Sequence, residues 1–118
     1  MKIRKIAELL CADVLCGEEL LDGDVQSAFG CDMMSDVLAF VNEQAVLITG
    51  LCNPQVVRTA EMMDMRCIVF IRGKVPPKEV VDLAKEAGIV LLASKERMYG
   101  ACGVLYVNGL SGGSVANE

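Results

Sequence analysis

Three short runs of consecutive apolar residues in the second half of the chain place the strongest limits on its fold. They are AVLIT (45–49), CIVFI (67–71) and IVLLA (89–93), and an amphipathic helical pattern follows each of them. A strand that is apolar along its whole length has to be covered on both faces, which is typical of parallel sheets with helices on either side. The segment 45–108 therefore predicts a β-α-β-α-β-α unit with right-handed crossovers.

Local signals mark the ends of the three helices in this unit. Asn53 and Pro54 occupy the N-cap and the first helical position of the first helix, where both residue types are favoured. Pro77 opens the second helix, and Gly88 ends it, because glycine readily adopts the left-handed conformation at a helix end. Ser94 is expected to cap the last helix.

The first half of the chain is less regular. Residues 2–10 carry apolar side chains at helical spacing, which predicts a short N-terminal helix. ADVLCG (12–17) and DVQSAFGC (24–31) are each expected to form a strand, and we expect the two strands to pair or to lie close together. A further amphipathic helix is predicted over DMMSDVLAFVNE (32–43).

These patterns indicate a single domain of the α/β class. The chain has 118 residues, which suits one compact domain. We expect α/β/α layers around a largely parallel sheet over residues 1–108, followed by a flexible tail rich in Gly and Ser at 109–118.

Charge and composition exclude several function classes. The formal net charge is −5 and the chain lacks tryptophan, so a nucleic acid is not an expected partner. Histidine is absent, which removes the commonest general base and most catalytic zinc sites. No apolar run approaches the roughly 20 residues of a membrane span. The N-terminus MKIRKIAELL has no signal-peptide pattern, so we expect a cytoplasmic protein without a membrane partner.

Six cysteines occupy positions 11, 16, 31, 52, 67 and 102 without any Cys-x-x-Cys pair. Their simplest interpretation is reduced thiols that act as small apolar side chains, and we predict no metal and no cofactor. A cluster-binding role is the less favoured alternative. Cys52 stands out because it follows a strand, where a nearby helix N-terminus would lower the pKa of its thiol and make it reactive.

A ligand site is predicted where the strands end, because α/β sheets bind ligands beyond the carboxyl ends of their strands. Glycines and cations follow the strands there, and two helix N-termini offer free N–H groups. This arrangement favours an anionic or nucleotide-like ligand, although turn glycines and solvated lysines have the same pattern. The predicted ligand-binding residues are Gly50, Asn53, Gly73, Lys74 and Ser94, with Asp32, Ser35 and Asp36 from the start of the second helix.

Asp32 and Ser35 also have a purely structural interpretation. Both lie at the start of a predicted helix, where a side-chain oxygen can accept hydrogen bonds from free backbone N–H groups. Capping alone is the simpler explanation for each of them.

From about residue 3 to residue 108 the chain resembles the DRTGG domain family. The matching motifs are a G-E-E-x-L turn (Gly17 to Leu21), an S-D-V-L-A helix start (Ser35 to Ala39) and a Ser-Lys-Glu helix start (Ser94 to Glu96). The family occurs in phosphotransacetylases, in CBS-containing pyrophosphatases and as free-standing proteins. The resemblance implies a layered fold similar to the N-terminal domains of HPr kinase and Mur ligases.

The signature that names the family is altered in this chain. Cys52-Asn53 stands where Asp-Arg would fall, followed by the matching Pro54. Ile71-Arg72-Gly73 stands where Thr-Gly-Gly would fall. The resemblance implies a regulatory role without catalytic activity, in a redox or signalling context.

Two functions follow as expectations. The first is a non-catalytic regulatory domain that senses a nucleotide or another anionic metabolite at the strand ends. The alternative is a protein–protein interaction module that forms a homodimer or docks on a redox or signalling enzyme. It is motivated by an apolar fraction of 53% and by the methionine-rich stretch EMMDM (61–65). An enzyme is not expected, because no acid is paired with a base at motif spacing.

Overall fold

The computed structural model describes residues 1–113, and within them five α-helices and five strands form one α/β unit. The helices are α1 (Ile3–Leu9), α2 (Met34–Phe40), α3 (Pro54–Met62), α4 (Lys78–Ala87) and α5 (Met98–Val107). The strands are β1 (Asp13–Cys16), β2 (Ser27–Gly30), β3 (Ala45–Thr49), β4 (Cys67–Phe70) and β5 (Val90–Ala93). A short 3₁₀ helix, Glu18–Leu20, follows β1.

The strands form one sheet in the order β1-β5-β4-β3-β2. The four strands from β2 to β5 run parallel, which confirms the predicted β-α-β-α-β-α unit and the largely parallel sheet. Thr49 lies beside Phe70, which in turn lies beside Ala93. The carboxyl ends of β3, β4 and β5 therefore lie side by side, and this side of the sheet is called its carboxyl edge below.

The predicted proximity of the strands at 12–17 and 24–31 is wrong. β1 pairs antiparallel with β5 and β2 pairs parallel with β3, so the two lie at opposite edges of the sheet. Both are four-residue edge strands that are only partly buried. The local patterns predict both strands, but the partner of β1 is a strand far away in the sequence, and β2 pairs with the next strand along the chain.

Helices cover both faces of the sheet. One apolar cluster lies under α1 and α5 and contains the alternate strand residues Val46, Ile48 and Val69. The other lies under α2, α3 and α4 and contains Leu47 and Ile68. The central strands β3, β4 and β5 are buried along their whole length, as their continuous apolar sequence predicts.

The predicted helix ends are correct for two of the helices. Asn53 caps α3, with its side-chain oxygen 3.3 Å from the Val56 nitrogen, and Pro54 is the first helical residue. α4 begins directly after Pro77 and ends at Gly88, which has a φ of 71°.

The predicted caps of α2 and α5 are wrong. α2 has Met33 as its N-cap, without a side-chain cap, because Asp32 bonds to the end of β3 instead and Ser35 is already inside the helix. α5 begins at Met98, four residues after Ser94. The Ser94 hydroxyl instead donates a 2.8 Å bond to the Leu10 carbonyl and accepts one from the Glu96 N–H, which fixes a loop before the helix.

The segment 25–28 is held by both ends of the described chain. The Val25 N–H donates to the Met1 carbonyl at 2.9 Å, and the Ala28 N–H donates to the Ser111 carbonyl at 2.9 Å. Of the predicted tail at 109–118, Leu110 is buried and Ser111 joins the edge of β2, while 114–118 lie outside the described residues. None of the helices within residues 1–113 is long and apolar enough to cross a membrane.

Candidate functional site

Asp32 joins two neighbouring strand ends. The Cys31 N–H donates to the Ile48 carbonyl at 3.0 Å, which continues the pairing of β2 with β3 and places Asp32 beside the end of β3. One carboxylate oxygen, Oδ1, accepts a 2.9 Å bond from the Thr49 hydroxyl and a 2.7 Å bond from the Gly50 N–H. Asp32 is therefore fixed by a strand end and not by the helix that follows it.

Arg72 approaches Asp32 from the end of β4. Its Nη2 lies 3.9 Å from Oδ2 of Asp32, and the two side chains are 40% and 50% exposed. The guanidinium lies against Gly50, where an added Cβ would be 2.6 Å from the Arg72 Cζ atom. Because Gly50 has no side chain, the guanidinium can pack directly on its backbone.

The turn after β4 takes an unusual backbone conformation. Arg72 has a φ of 61° and Gly73 has a φ of 69°, so two left-handed residues follow each other. Glycine adopts this region freely, whereas arginine does so at a cost. The Arg72 N–H donates to the Glu96 carbonyl at 2.7 Å and the Gly73 N–H to the Ser94 carbonyl at 3.0 Å, so the loop before α5 holds this turn in place.

The surroundings of Asp32 favour its ionised form. The Gly50 N–H lowers the pKa of the carboxyl most, with further lowering by the Thr49 hydroxyl, Arg72 and Lys74, while partial burial opposes them. The site therefore combines a carboxylate, which keeps Oδ2 for further contacts, with two cationic side chains.

The structure places the predicted site residues in four different settings. Asp32 contacts Gly50 directly, and Gly73 and Lys74 belong to the turn beside them. Asn53 is committed to capping α3. The other three are a buried serine whose hydroxyl bonds within the protein and two exposed side chains on the first turn of α2: Ser94, Ser35 and Asp36.

Arg72 and Thr49 belong to the strand ends where the sequence predicts a ligand, but the predicted list of ligand-binding residues leaves both out. Thr49 is fully buried at the last position of β3, and its hydroxyl donates to Asp32 while accepting from the Leu51 N–H at 3.1 Å. The sequence signal for Arg72 is a bulky cation where the family signature has glycine. Lys95, another strand-end cation, lines a cavity of about 420 Å³ elsewhere, together with Leu10 and Cys11.

Cys52 does not have the lowered pKa that its position led us to expect. Burial raises the pKa of its thiol, and the nearby Lys74 and Arg72 only partly oppose this. The thiol lies 3.8 Å from the Gly50 carbonyl. All six cysteines are free, and residues 1–113 contain no group of three or more His, Cys, Asp or Glu side chains arranged to hold a metal ion.

Comparisons with known proteins identify the family. A crystal structure of the CBS and DRTGG domains of the regulatory region of Clostridium perfringens pyrophosphatase, complexed with the activator diadenosine tetraphosphate, is similar in fold, with a TM-score of 0.72 at 19% sequence identity. The similarity covers 98% of this chain and 51% of that chain, so this protein spans about half of its length. None of the curated proteins matches the chain. The family model of the DRTGG domain matches residues 5–105, and the chain therefore belongs to the DRTGG domain family.

Proposed function

We propose that this protein is a non-catalytic regulatory domain that senses an anionic ligand of the nucleotide class, bound where Asp32, Gly50, Arg72 and Lys74 meet. The observation that carries the proposal is the position of Arg72. Its guanidinium is partly exposed and lies against the buried Gly50 at the carboxyl edge of a parallel sheet, where ligands of such folds bind.

The local charge supports an anionic ligand. The chain has a formal net charge of −5, yet Arg72 and Lys74 place two cations beside the Asp32 carboxylate at this edge. One oxygen of that carboxylate is already bonded to Thr49 and Gly50. A guanidinium binds phosphate through two parallel hydrogen bonds, which makes phosphorylated metabolites the chemical class to test.

The structural comparison indicates which ligands to test first. The similar pyrophosphatase region was crystallised with the activator diadenosine tetraphosphate. That region contains CBS domains as well as a DRTGG domain, and the complex belongs to the region as a whole. Adenine nucleotides are therefore the first candidates.

The chemistry of the site supports a role without catalysis. An efficient general acid or base has a pKa near the working pH, whereas the pKa of Asp32 is lowered away from it. A cysteine nucleophile works as the thiolate, and burial raises the pKa of Cys52. The lowered pKa of Asp32 and the raised pKa of Cys52 therefore suit residues that bind a ligand better than residues that catalyse a reaction.

Isothermal titration of the protein with diadenosine tetraphosphate, ATP and AMP tests this function. We expect at least one nucleotide to bind, and Arg72→Gln to weaken that binding by about tenfold or more because a charge-assisted bidentate contact is lost. The matched control is Lys5→Gln, which removes one positive charge from an exposed position on α1. Wild-type protein that binds no nucleotide at millimolar concentration would contradict the proposal.

A second candidate function is homodimerisation through α5. Its ten residues, MYGACGVLYV, include no charged side chain, and Tyr99, Tyr106 and Val107 are 92%, 71% and 80% exposed. Tyr99 and Tyr106 are seven residues apart and share one side of the helix. The two rings expose roughly 300 Å² of surface. Two copies that each carry a net charge of −5 would repel each other least across such an uncharged face.

Sedimentation velocity separates this candidate from the first. Dimerisation through α5 predicts a dimer at about 100 μM protein that Tyr106→Lys converts to a monomer, because two lysines would face each other across a symmetric interface. Val75→Lys adds the same charge at an exposed position in the loop before α4 and should leave the dimer intact. A wild-type monomer at that concentration would eliminate this candidate.

A further inference from the structure

We propose that Arg72 and Asp32 form a latch, in which Arg72 moves from the Asp32 carboxylate to a ligand phosphate and leaves Asp32 to accept a hydrogen bond from a ligand hydroxyl. The latch rests on the ligand site proposed above and narrows its ligand class. It selects molecules that carry both a phosphate and a nearby hydroxyl, as nucleotides do, over polyphosphates without one.

The backbone at Arg72 indicates that its side chain has a role. Its φ of 61° falls in a region that arginine rarely adopts, while the next residue, with a φ of 69°, is a glycine. A glycine at position 72 would take the same conformation without strain. Strain that surrounding hydrogen bonds maintain is common at ligand sites, and here the Glu96 and Ser94 carbonyls maintain it.

The strained turn aims the side chain at Gly50. The guanidinium packs on the Gly50 backbone so closely that an added Cβ would lie 3.0 Å from Nη1 and 2.6 Å from Cζ. Gly50 is buried, and its N–H is bonded to Asp32. In this position Arg72 covers the strand end that a ligand would approach.

Asp32 is held more firmly than Arg72. Two hydrogen bonds of 2.7 and 2.9 Å fix its Oδ1, whereas its Oδ2 lies 3.9 Å from the guanidinium. Ion pairs of this length between half-exposed side chains are weak and screened by water. A phosphate that offers two short charge-assisted bonds can therefore displace this contact, so Arg72 is the moving partner.

The freed carboxylate then distinguishes between ligands. Its Oδ2 repels a bare polyphosphate, and it accepts a hydrogen bond from a hydroxyl group. Discrimination of this kind combines an attractive contact with a repulsive one. Lys74 lies close enough to Asp32 to lower the pKa of its carboxyl. It can bind a phosphate whether or not the ligand also carries a hydroxyl.

The test compares ATP with inorganic tripolyphosphate in titrations of wild-type protein, Asp32→Asn, Arg72→Gln and Asp64→Asn. The asparagine oxygen at position 32 can still accept the bonds from Thr49 and Gly50. Asp64→Asn removes the same charge from an exposed residue that precedes β4, at the amino ends of the strands and away from the proposed site. Thermal unfolding of each variant verifies that it is folded.

We expect wild-type protein and Asp64→Asn to prefer ATP. Asp32→Asn should bind tripolyphosphate about tenfold more tightly and lose most of the preference, because the repelling charge is gone. Arg72→Gln should weaken both ligands while the preference remains. An unchanged preference in Asp32→Asn, with ATP still bound, overturns the latch and leaves the proposed function standing. Failure of wild-type protein to bind ATP or tripolyphosphate overturns the latch, and the proposed function falls with it only if diadenosine tetraphosphate and AMP also fail to bind.

Discussion

Gly17 and Val90 contact each other so closely that no side chain fits at position 17. An added Cβ would lie 2.9 Å from Cγ2 of Val90 and 3.0 Å from its Cα, and Gly17 has a φ of 86°. The turn after the antiparallel edge strand β1 thus packs directly on the first residue of β5. The G-E-E-x-L motif begins with glycine for a structural reason, independent of any ligand.

Gly17→Ala should destabilise the protein by about 2–4 kcal/mol, because left-handed strain and a collision with backbone act together. Gly88→Ala is the matched control: its φ is 71°, but an added Cβ meets nothing within 4 Å. There we expect a loss of about 1–2 kcal/mol from strain alone. Urea unfolding followed by circular dichroism measures both. Equal losses would show that the contact with Val90 relaxes without cost.

Ser94→Ala should destabilise the protein by about 1–3 kcal/mol, because it leaves the Leu10 carbonyl and the Glu96 N–H without the hydroxyl that they share. Ser35→Ala makes the same change at an exposed position on α2 and should alter stability by no more than about 0.5 kcal/mol. The free energy of unfolding of the two variants decides the point. If Ser94→Ala is as mild as Ser35→Ala, the buried bond contributes little.

Acid should weaken the protein partly through Asp32. The pKa of its carboxyl is lowered below the ordinary value of 3.8, chiefly by the Gly50 N–H. Its contribution to stability is therefore fully present above that value and is lost as the pH falls through the lower folded-state pKa. Asp32→Asn should reduce the fall in unfolding temperature between about pH 4 and about pH 2.5, because position 32 no longer titrates. Asp64→Asn controls for the loss of one carboxylate, and an identical acid profile in Asp32→Asn would contradict the assignment.

The cysteines should differ widely in their reaction with iodoacetamide. Cys11 is exposed and should be modified first. Cys67 is fully buried, and burial raises the pKa of its thiol strongly, so it should react only on unfolding. Cys52 should be slow because burial raises its pKa as well. Mass spectrometry of timed digests gives the order of modification. Rapid modification of Cys52 would contradict this expectation and support the reactive thiol predicted from its position after a strand.

The sequence predicts the parallel half of the fold because two local rules agree there. Continuous apolar runs identify buried strands. Asn53 and Pro54 mark the start of α3, and Gly88 marks the end of α4. The edge strands β1 and β2 follow no such rule. Neither is apolar and buried along its whole length; β1 pairs antiparallel with the distant β5, and β2 pairs parallel with β3, the next strand along the chain. The position of an edge strand depends on which other strand it pairs with, and this cannot be inferred from the residues of the edge strand alone.

The site is less predictable because the same side-chain chemistry serves two purposes. Asp32 and Ser94 have the residue types and positions of helix caps, yet both bond to elements that lie elsewhere in the fold. A carboxylate or hydroxyl accepts from any N–H that tertiary structure brings close. Arg72 shows the converse, since its left-handed φ and its contact with Gly50 depend on the loop that precedes α5.

The segment 25–28, at the start of the edge strand β2, binds residue 1 through Val25 and residue 111 through Ala28, so these two parts of the chain meet at one corner of the sheet. Because residues 1 and 111 contact the same short segment, such a unit can be inserted into a surface loop of a host protein without separating the two ends of that loop. Strain applied at that corner would reach β2 first, and through it the neighbouring Asp32.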